Sequence, residues 1–453
     1  MSLYKNDKNQ CNGLYFQREF SHHPLASESR IFDRLSSPST ACDLLQASTS
    51  FHGNQKLNLS AFIPMPLLEE DKQYLIEPLY HGVLSKEASS RLATIEAPCI
   101  RLLASLWHCG NPHQATGCST TDVADASFLA GMAMKWNWRN ERRKQGLSDA
   151  KPNLVLGENA HASWETFCRH HQVELRKIPM VAKGHIMDIQ RAIQQCDENT
   201  IGVIAVLGSL FTGEYEPIEA LNHEIEILNH KKNLYIPLHV DASSGGFIVP
   251  FLHPELPWDF QLSCVKSITA SGHQSRAVHP GIGWILWKDA SQVPPDLINH
   301  GEKGLETQAH FTFSFSRPKK QIIAEYYDFL RSGKDDFQRA QKNCQKITNY
   351  LAEKIKAMGV FKLVSEGHHL PVLTWTLKTP LSFTLKNLSE RLHSNGWSIP
   401  VYTIHYHQEK IQVLRAVIRE DFSYELADLL IADIHRALSH FKQKDDSKDN
   451  AAA

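Results

Sequence analysis

The chain has 453 residues, 48 basic and 49 acidic side chains and a formal net charge of -1. That length exceeds one small core and implies two or three packed domains, while the evenly spread charge offers no basic stripe for nucleic acid. No apolar run reaches the length of a membrane span and the opening MSLYKNDKNQCNG lacks a hydrophobic signal core, so the expectation is a cytoplasmic protein that binds neither nucleic acid nor membrane.

Residues 1–60 are rich in Ser, Asn, Asp and His with weak periodicity and read as an N-terminal arm, with a short helix around Ser39 to Gln46. From about residue 90, helical patterns alternate with short apolar runs: NLVLG (153–157), IGVIAVLG (201–208), LYIPLHVDA (234–242), SCVKSITA (263–270) and GIGWILW (281–287). Short β-branched runs alternating with helices predict an α/β domain over 61–325, its sheet mostly parallel and covered on both faces. A helical stretch through IIAEYYDFLRSG then leads into LPVLTWTL, IQVLRAVI and YELADLLIADIHRALSHF, which predict a smaller α+β domain over 326–441. The charged end, 442–453, is expected to be disordered.

The nine cysteines stand far apart without a CxxC pair, so they read as reduced structural thiols. Among the 25 histidines, only those converging on one pocket bear on chemistry. HVDASSGG sets His239 and Asp241 on one face of a strand end, because side chains two apart point the same way.

Long collinear stretches carry a family resemblance: LAGMAMKWNWRNERRKQG (129–146), KPNLVLG (151–157), VELRKIPM (173–180), CDENTIGVIAVLGSLFTGEYEPI (196–218), HVDASSGGFIVPF (239–251) and FSFSRPKKQIIAEYYDFLRSGK (313–334). Over about residues 50–440 the chain resembles the glutamate decarboxylases. The resemblance implies an aspartate aminotransferase-like (fold type I) large domain, pyridoxal phosphate as cofactor, and a homodimer or a heterodimer with an active paralogue. Such chemistry requires a lysine for the Schiff base, a carboxylate on the pyridine nitrogen, a helix N-terminus for the phosphate and a basic group for the substrate carboxylate.

By this resemblance Asp241 matches the partner of the pyridine nitrogen, Thr212 a residue near the ring hydroxyl, and His161 an imidazole stacked on the ring. Ser243 and Ser271 fall in the cofactor-binding turns, and Arg415 matches the arginine that holds a substrate α-carboxylate. The plain alternatives are a strand-end turn for Asp241, a turn-forming Thr212 and a surface ion pair for Arg415. In SITASGHQSRAVHPGIGW (267–284) the anchor lysine's place, after His273, is held by Gln274. Its amide lone pair is delocalised, so it is neither a nucleophile nor a proton shuttle. Lys266 matches a family lysine that is not the anchor. The phosphate cradle, a Gly followed by two serines, corresponds to Asp122, Val123 and Ala124, and Asp122 is also a good helix N-cap. Substrate-pocket positions correspond to Ala61, Arg101 and Ser105.

Three functions follow as expectations. One is a catalytically degenerate homologue that acts by dimerisation or by binding a small carboxylate. Another is a decarboxylase or lyase that holds pyridoxal phosphate non-covalently, with His273 moving protons. The third is a metal-dependent enzyme in which His161, His239, His273 and Asp241 converge on iron.

Overall fold

The computed structural model describes residues 54–61, 86–181, 185–274, 278–298, 311, 318–406 and 409–452, with 86–93, 274, 405, 406, 409 and 444–452 described by backbone alone. The expected arm up to residue 53, with its helix at Ser39 to Gln46, lies outside the described residues.

The strands of the large domain are β1 (Thr116–Thr120), β2 (Asn153–Gly157), β3 (Glu174–Ile178), β4 (Thr200–Val206), β5 (Leu238–Asp241), β6 (Val265–Ser271) and β7 (Gly283–Trp287). They form one seven-stranded sheet in the order β1-β7-β6-β5-β4-β2-β3. β3, β2, β4, β5 and β6 run parallel, and β7 lies antiparallel between β6 and β1. The near-continuous apolar runs of β2, β4 and β7 are buried at every residue, as a sheet covered on both faces requires. β1 and β3 are not among the expected strands: TGCST has no aliphatic side chain and only Cys118 in the core, and ELRKI is partly exposed at the sheet edge.

The helices in chain order are α1 (Lys86–Leu106), α2 (Val123–Lys144), α3 (Ala162–His170), α4 (Ile189–Gln194), α5 (Ile218–Lys232), α6 (Val249–Leu252), α7 (Lys319–Arg331), α8 (Lys334–Ala357), α9 (Leu385–His393) and α10 (Tyr424–Ala452). One face of the sheet packs on Cys99 and Leu103 of α1, Trp107 just after it, Leu221 and Ile225 of α5 and Ile322 of α7. The other face packs on Leu129, Ala130 and Ala133 of α2 and on Trp164 and Phe167 of α3. α7 thus crosses the boundary expected at 325/326 and packs into the large domain's core, and the chain breaks at Ser332–Gly333 before α8.

The smaller sheet contains β8 (Phe361–Ser365), β9 (Val372–Leu377), β10 (Val401–Tyr406) and β11 (Glu409–Val417), antiparallel in the order β10-β11-β9-β8. It shares a core with α8, α9 and α10. Residues 54–60, placed in the arm by their composition, are built into this domain instead. Leu59 is buried in its core, its N–H donates to Ser398 O at 3.0 Å, and its carbonyl accepts from Val417 N at 2.9 Å. The backbone of α10 continues to Ala452, so the described tail is helical where its composition suggested disorder; its Lys, Gln and Ala residues are good helix formers. Among the described residues no helix is long and apolar enough to cross a membrane, and seven described cysteines are buried and form no disulfide.

Candidate active site

Strand direction and register gather the sequence-matched residues at one edge. The parallel strands end together, with Val206 paired to Asp241 and Asp241 to Thr269. Ser271 pairs with Gly283, and Gly283 with Thr120, which brings the start of α2 to the same edge. Ligands of such sheets bind at the carboxyl ends of the strands, where the turns leave.

Asp241 is buried, and both its oxygens are engaged. Trp164 Nε1 donates to Oδ2 at 3.0 Å, Ser243 N donates to Oδ1 at 3.2 Å, and the Ser243 hydroxyl also donates to Oδ1. Ser243 is therefore a partner of Asp241, and Trp164, three residues beyond His161 on the first turn of α3, is a site residue that sequence reasoning missed. His239 lies on the same face, fully buried, with Nδ1 2.7 Å from Ser267 Oγ and Nε2 3.2 Å from Thr269 Oγ1. Burial holds its pKa down to about 4 against the opposing pull of Asp241, so it is a neutral imidazole fixed by two hydroxyls.

A second acid was also missed. Glu216 is buried behind the 207–217 turn, where it accepts from Val206 N at 2.8 Å, Asn159 Nδ2 at 2.9 Å and Met187 N at 3.3 Å. Burial pushes it up to about 7, with Asp241 adding to the rise. Nothing in EYEPI distinguishes this Glu from a surface residue; only the turn that folds it inward does so.

Thr212 sits on that turn, buried, with its hydroxyl oxygen unpartnered. The smaller domain holds the turn by its carbonyls: Ser365 Oγ donates to Thr212 O at 2.5 Å and Thr374 Oγ1 to Phe211 O at 2.6 Å. The next residue, Gly213, has φ 72°, and a Cβ there would meet Val372 at 3.0 Å, so only glycine fits this close approach. Arg415 pairs with Thr374 across β11 and β9 and so faces the same turn. The residue is 4% exposed, and its guanidinium lies 5.7 Å from the Tyr402 ring centroid and donates from Nη1 to Ser60 O at 2.9 Å, while Nε has no partner. It is a buried cation rather than the surface ion pair of the plain reading.

His161 is exposed and caps α3: its Nδ1 accepts from Ser163 N at 3.2 Å and lies 2.8 Å from Ser163 Oγ. Ser271 is buried at the end of β6, its N–H donating to Ser243 O at 3.3 Å. His273 and Gln274 follow in the single 3-10 turn Gly272–Gln274, and burial lowers the His273 pKa. Arg101 and Ser105 are exposed on α1. They do not join this edge within one chain, because α1 ends at the opposite edge, where Phe260 N donates to Trp107 O ahead of β6. Ala61 is exposed. Lys266 also lies at that opposite edge, its Nζ 5.8 Å from the Tyr235 ring centroid.

The start of α2 decides the anion site. Asp122 is the N-cap, with φ −158° and ψ −179°, and its carboxylate accepts from Asp125 N at 2.9 Å. Thr120 Oγ1 donates to Asp122 O at 2.5 Å, and the Thr121 hydroxyl donates to the Asp125 carboxylate. The helix end that would attract a phosphate thus holds one carboxylate of its own and has a second in its first turn.

These residues accommodate only part of pyridoxal phosphate. At this edge Asp241 supplies a carboxylate and Thr212 an unpartnered hydroxyl, but the α2 N-terminus is acidic and self-capped, and Gln274 carries no amine. The described residues do not provide for the group as a whole. A metal centre is not formed either: among the described residues no three His, Cys, Asp or Glu side chains could hold one ion. His239 spends both ring nitrogens on Ser267 and Thr269, and His161 turns to its helix cap.

Comparison with known proteins places this geometry in context. Residues 74–378 match the pyridoxal-dependent decarboxylase conserved domain. A glutamate decarboxylase of Aliivibrio fischeri is 37% identical over 407 residues, covering 89% of this chain and 88% of that one. One from Solanum lycopersicum is 38% identical over 389 residues, covering 85% and 78%. The solved glutamate decarboxylase of Lactobacillus brevis superposes with a TM-score of 0.87 at 31% identity, covering 92% of this chain and 95% of that one. A sphingosine-1-phosphate lyase of Burkholderia pseudomallei shares the fold, with a TM-score of 0.75 at 16% identity over 95% of this chain and 98% of that one.

Proposed function

We propose that this chain, which belongs to the pyridoxal-dependent decarboxylase family and is built like a glutamate decarboxylase, acts by binding a small carboxylate and not by decarboxylation. The observation that carries this reading is the Asp122 carboxylate in the α2 N-terminus, where the family's chemistry calls for a phosphate. Gln274 adds to it, because an amide forms no Schiff base. Lys266, at the far edge of the sheet, does not replace the anchor. Arg415 supports the choice of ligand: a buried guanidinium whose Nε has no partner suits a carboxylate. The reading includes association as a homodimer or with an active paralogue, checked by sedimentation of the chain alone and mixed with such a paralogue.

The test is the absorption spectrum of the purified protein with and without added pyridoxal phosphate, together with carbon dioxide release from glutamate. The expected result is no bound-cofactor absorbance and no release; stoichiometric cofactor with turnover overturns the proposal.

A second reading, a lyase with non-covalently held cofactor, is favoured by Asp241 and the unpartnered Thr212 hydroxyl. Gln274→Lys separates the two. If the amine alone restores cofactor binding, the rest of the pocket is competent and the second reading gains; if it restores neither binding nor turnover, the first stands.

A further inference from the structure

On the sheet face opposite Asp241, the core holds an acid that no described side chain neutralises. Glu325 of α7 is fully buried, and neither of its oxygens closes a hydrogen bond. The donor turned toward it is the Trp284 indole of β7, itself without a closed bond. A Cβ built on Gly272 would lie 2.6 Å from Glu325 Oε2 and 2.6 Å from Ile282 Cγ2, so the carboxyl rests against the main chain of the turn that carries His273 and Gln274. Among the described residues the ionisable groups around it do not compensate a negative charge. On its own helix Asp328 is buried one turn away. From α1 come Glu96, whose carboxylate accepts from Ser119 N at 2.7 Å, and the buried thiol of Cys99, which feels both Glu325 and Glu96. His273 stands on the turn, and its burial disfavours the imidazolium. Among the described residues no cationic side chain is bonded to Glu325.

We propose that Glu325 is a proton-operated latch beneath the 271–274 turn: with its proton on, α7 closes against Gly272, and loss of that proton loosens the turn and the helix together. A carboxylate buried without a partner costs several kcal/mol, more than the packing around one turn can offset, so the structure yields locally before the charge is accommodated. Burial, reinforced by Asp328, lifts Glu325 well above the usual carboxyl range. The folded chain therefore holds this proton more tightly than the unfolded chain. The stability it contributes is full below the ordinary carboxyl value and is lost as pH rises through the folded value. The latch is independent of what the pocket binds.

Glu325→Gln keeps the shape and removes the ionisation. Thermal unfolding and hydrogen exchange of the full chain are compared at about pH 5.5 and about pH 8.5, the two sides of the expected loss. The variant is expected to melt several degrees above wild type at the higher pH, with the gap shrinking at the lower, and to slow amide exchange in 271–274 at the higher pH only. A gap that is the same at both pH values, or an unchanged turn, overturns the proposal. Glu325→Met serves if the Gln variant does not fold. Wild type alone is also decisive: after correction for intrinsic rates, exchange in 271–274 must accelerate with pH more than exchange in β4, and a uniform profile refutes the latch.

Discussion

Asp122→Asn separates the two roles of that side chain. An Asn oxygen can still accept from Asp125 N, as the carboxylate does at 2.9 Å, and Asn caps helices about as well as Asp, so α2 keeps its start. What disappears is one negative charge at the helix end. Two like charges ~5 Å apart repel by about 1 kcal/mol at the dielectric of water and about 3 kcal/mol at an effective dielectric of ~20. Asp122 is exposed, so the lower figure governs, and the expected gain for a singly charged anion is roughly four- to fivefold in Kd. The assay is a titration with pyridoxal phosphate, and separately with inorganic phosphate, followed by fluorescence or calorimetry at low and at high salt. The gain must shrink at high salt, because the screening length falls from ~10 Å at 0.1 M to ~3 Å at 1 M. Asp122→Ala is the control: it removes the same charge but also the cap, at about 1 kcal/mol of stability. If the Asn variant binds neither anion more tightly, or binds them more tightly regardless of salt, the Asp122 charge is not what opposes an anion at the α2 N-terminus.

Three further outcomes follow from the same geometry. Trp164→Phe removes the indole donor from buried Asp241 and should cost ~1–3 kcal/mol, read as a lower denaturant midpoint at unchanged slope. His239, held down to about 4 by burial, makes folding oppose protonation; stability should fall as pH drops from the ordinary imidazole value of 6.5 toward 4, by on the order of 2 kcal/mol at about pH 5. His239→Gln should be less stable at neutral pH but lose that portion of the acid slope. Arg415→Ala should abolish stabilisation by added small carboxylates in thermal shift and leave Ser60 O unpaired, at ~1–3 kcal/mol; retained carboxylate stabilisation would remove Arg415 from the ligand site.

Glu216 and Glu325 show where sequence reasoning stopped. Each looks like an ordinary acid in its local sequence, EYEPI and IIAEYYDF, and only long-range packing buries them. Trp164 was hidden differently: an apolar ring at helical spacing reads as core, and its N–H becomes a site group only because β5 ends beside α3. The catalytic-type turn was legible because Ser271, Gly272, His273 and Gln274 are contiguous, as Asp122, Val123 and Ala124 are at the start of α2.

The sequence alone determined the alternation of short buried strands with helices, because strand burial on both faces imposes continuous apolar runs that composition cannot disguise. It also determined which side-chain chemistries are present, an amide at 274 and a carboxylate at 122 among them, since those need no neighbours to define them. Only the tertiary structure decided what each group spends its bonds on. Asp122 turns its charge into its own helix, His161 caps α3, His239 is pinned between two hydroxyls, and Arg415 keeps a nitrogen free in the core. Partners far apart in the chain, such as Trp164 with Asp241 and Arg415 with Ser60, meet only when the sheet register is set, and it is the register that turns residue types into a site.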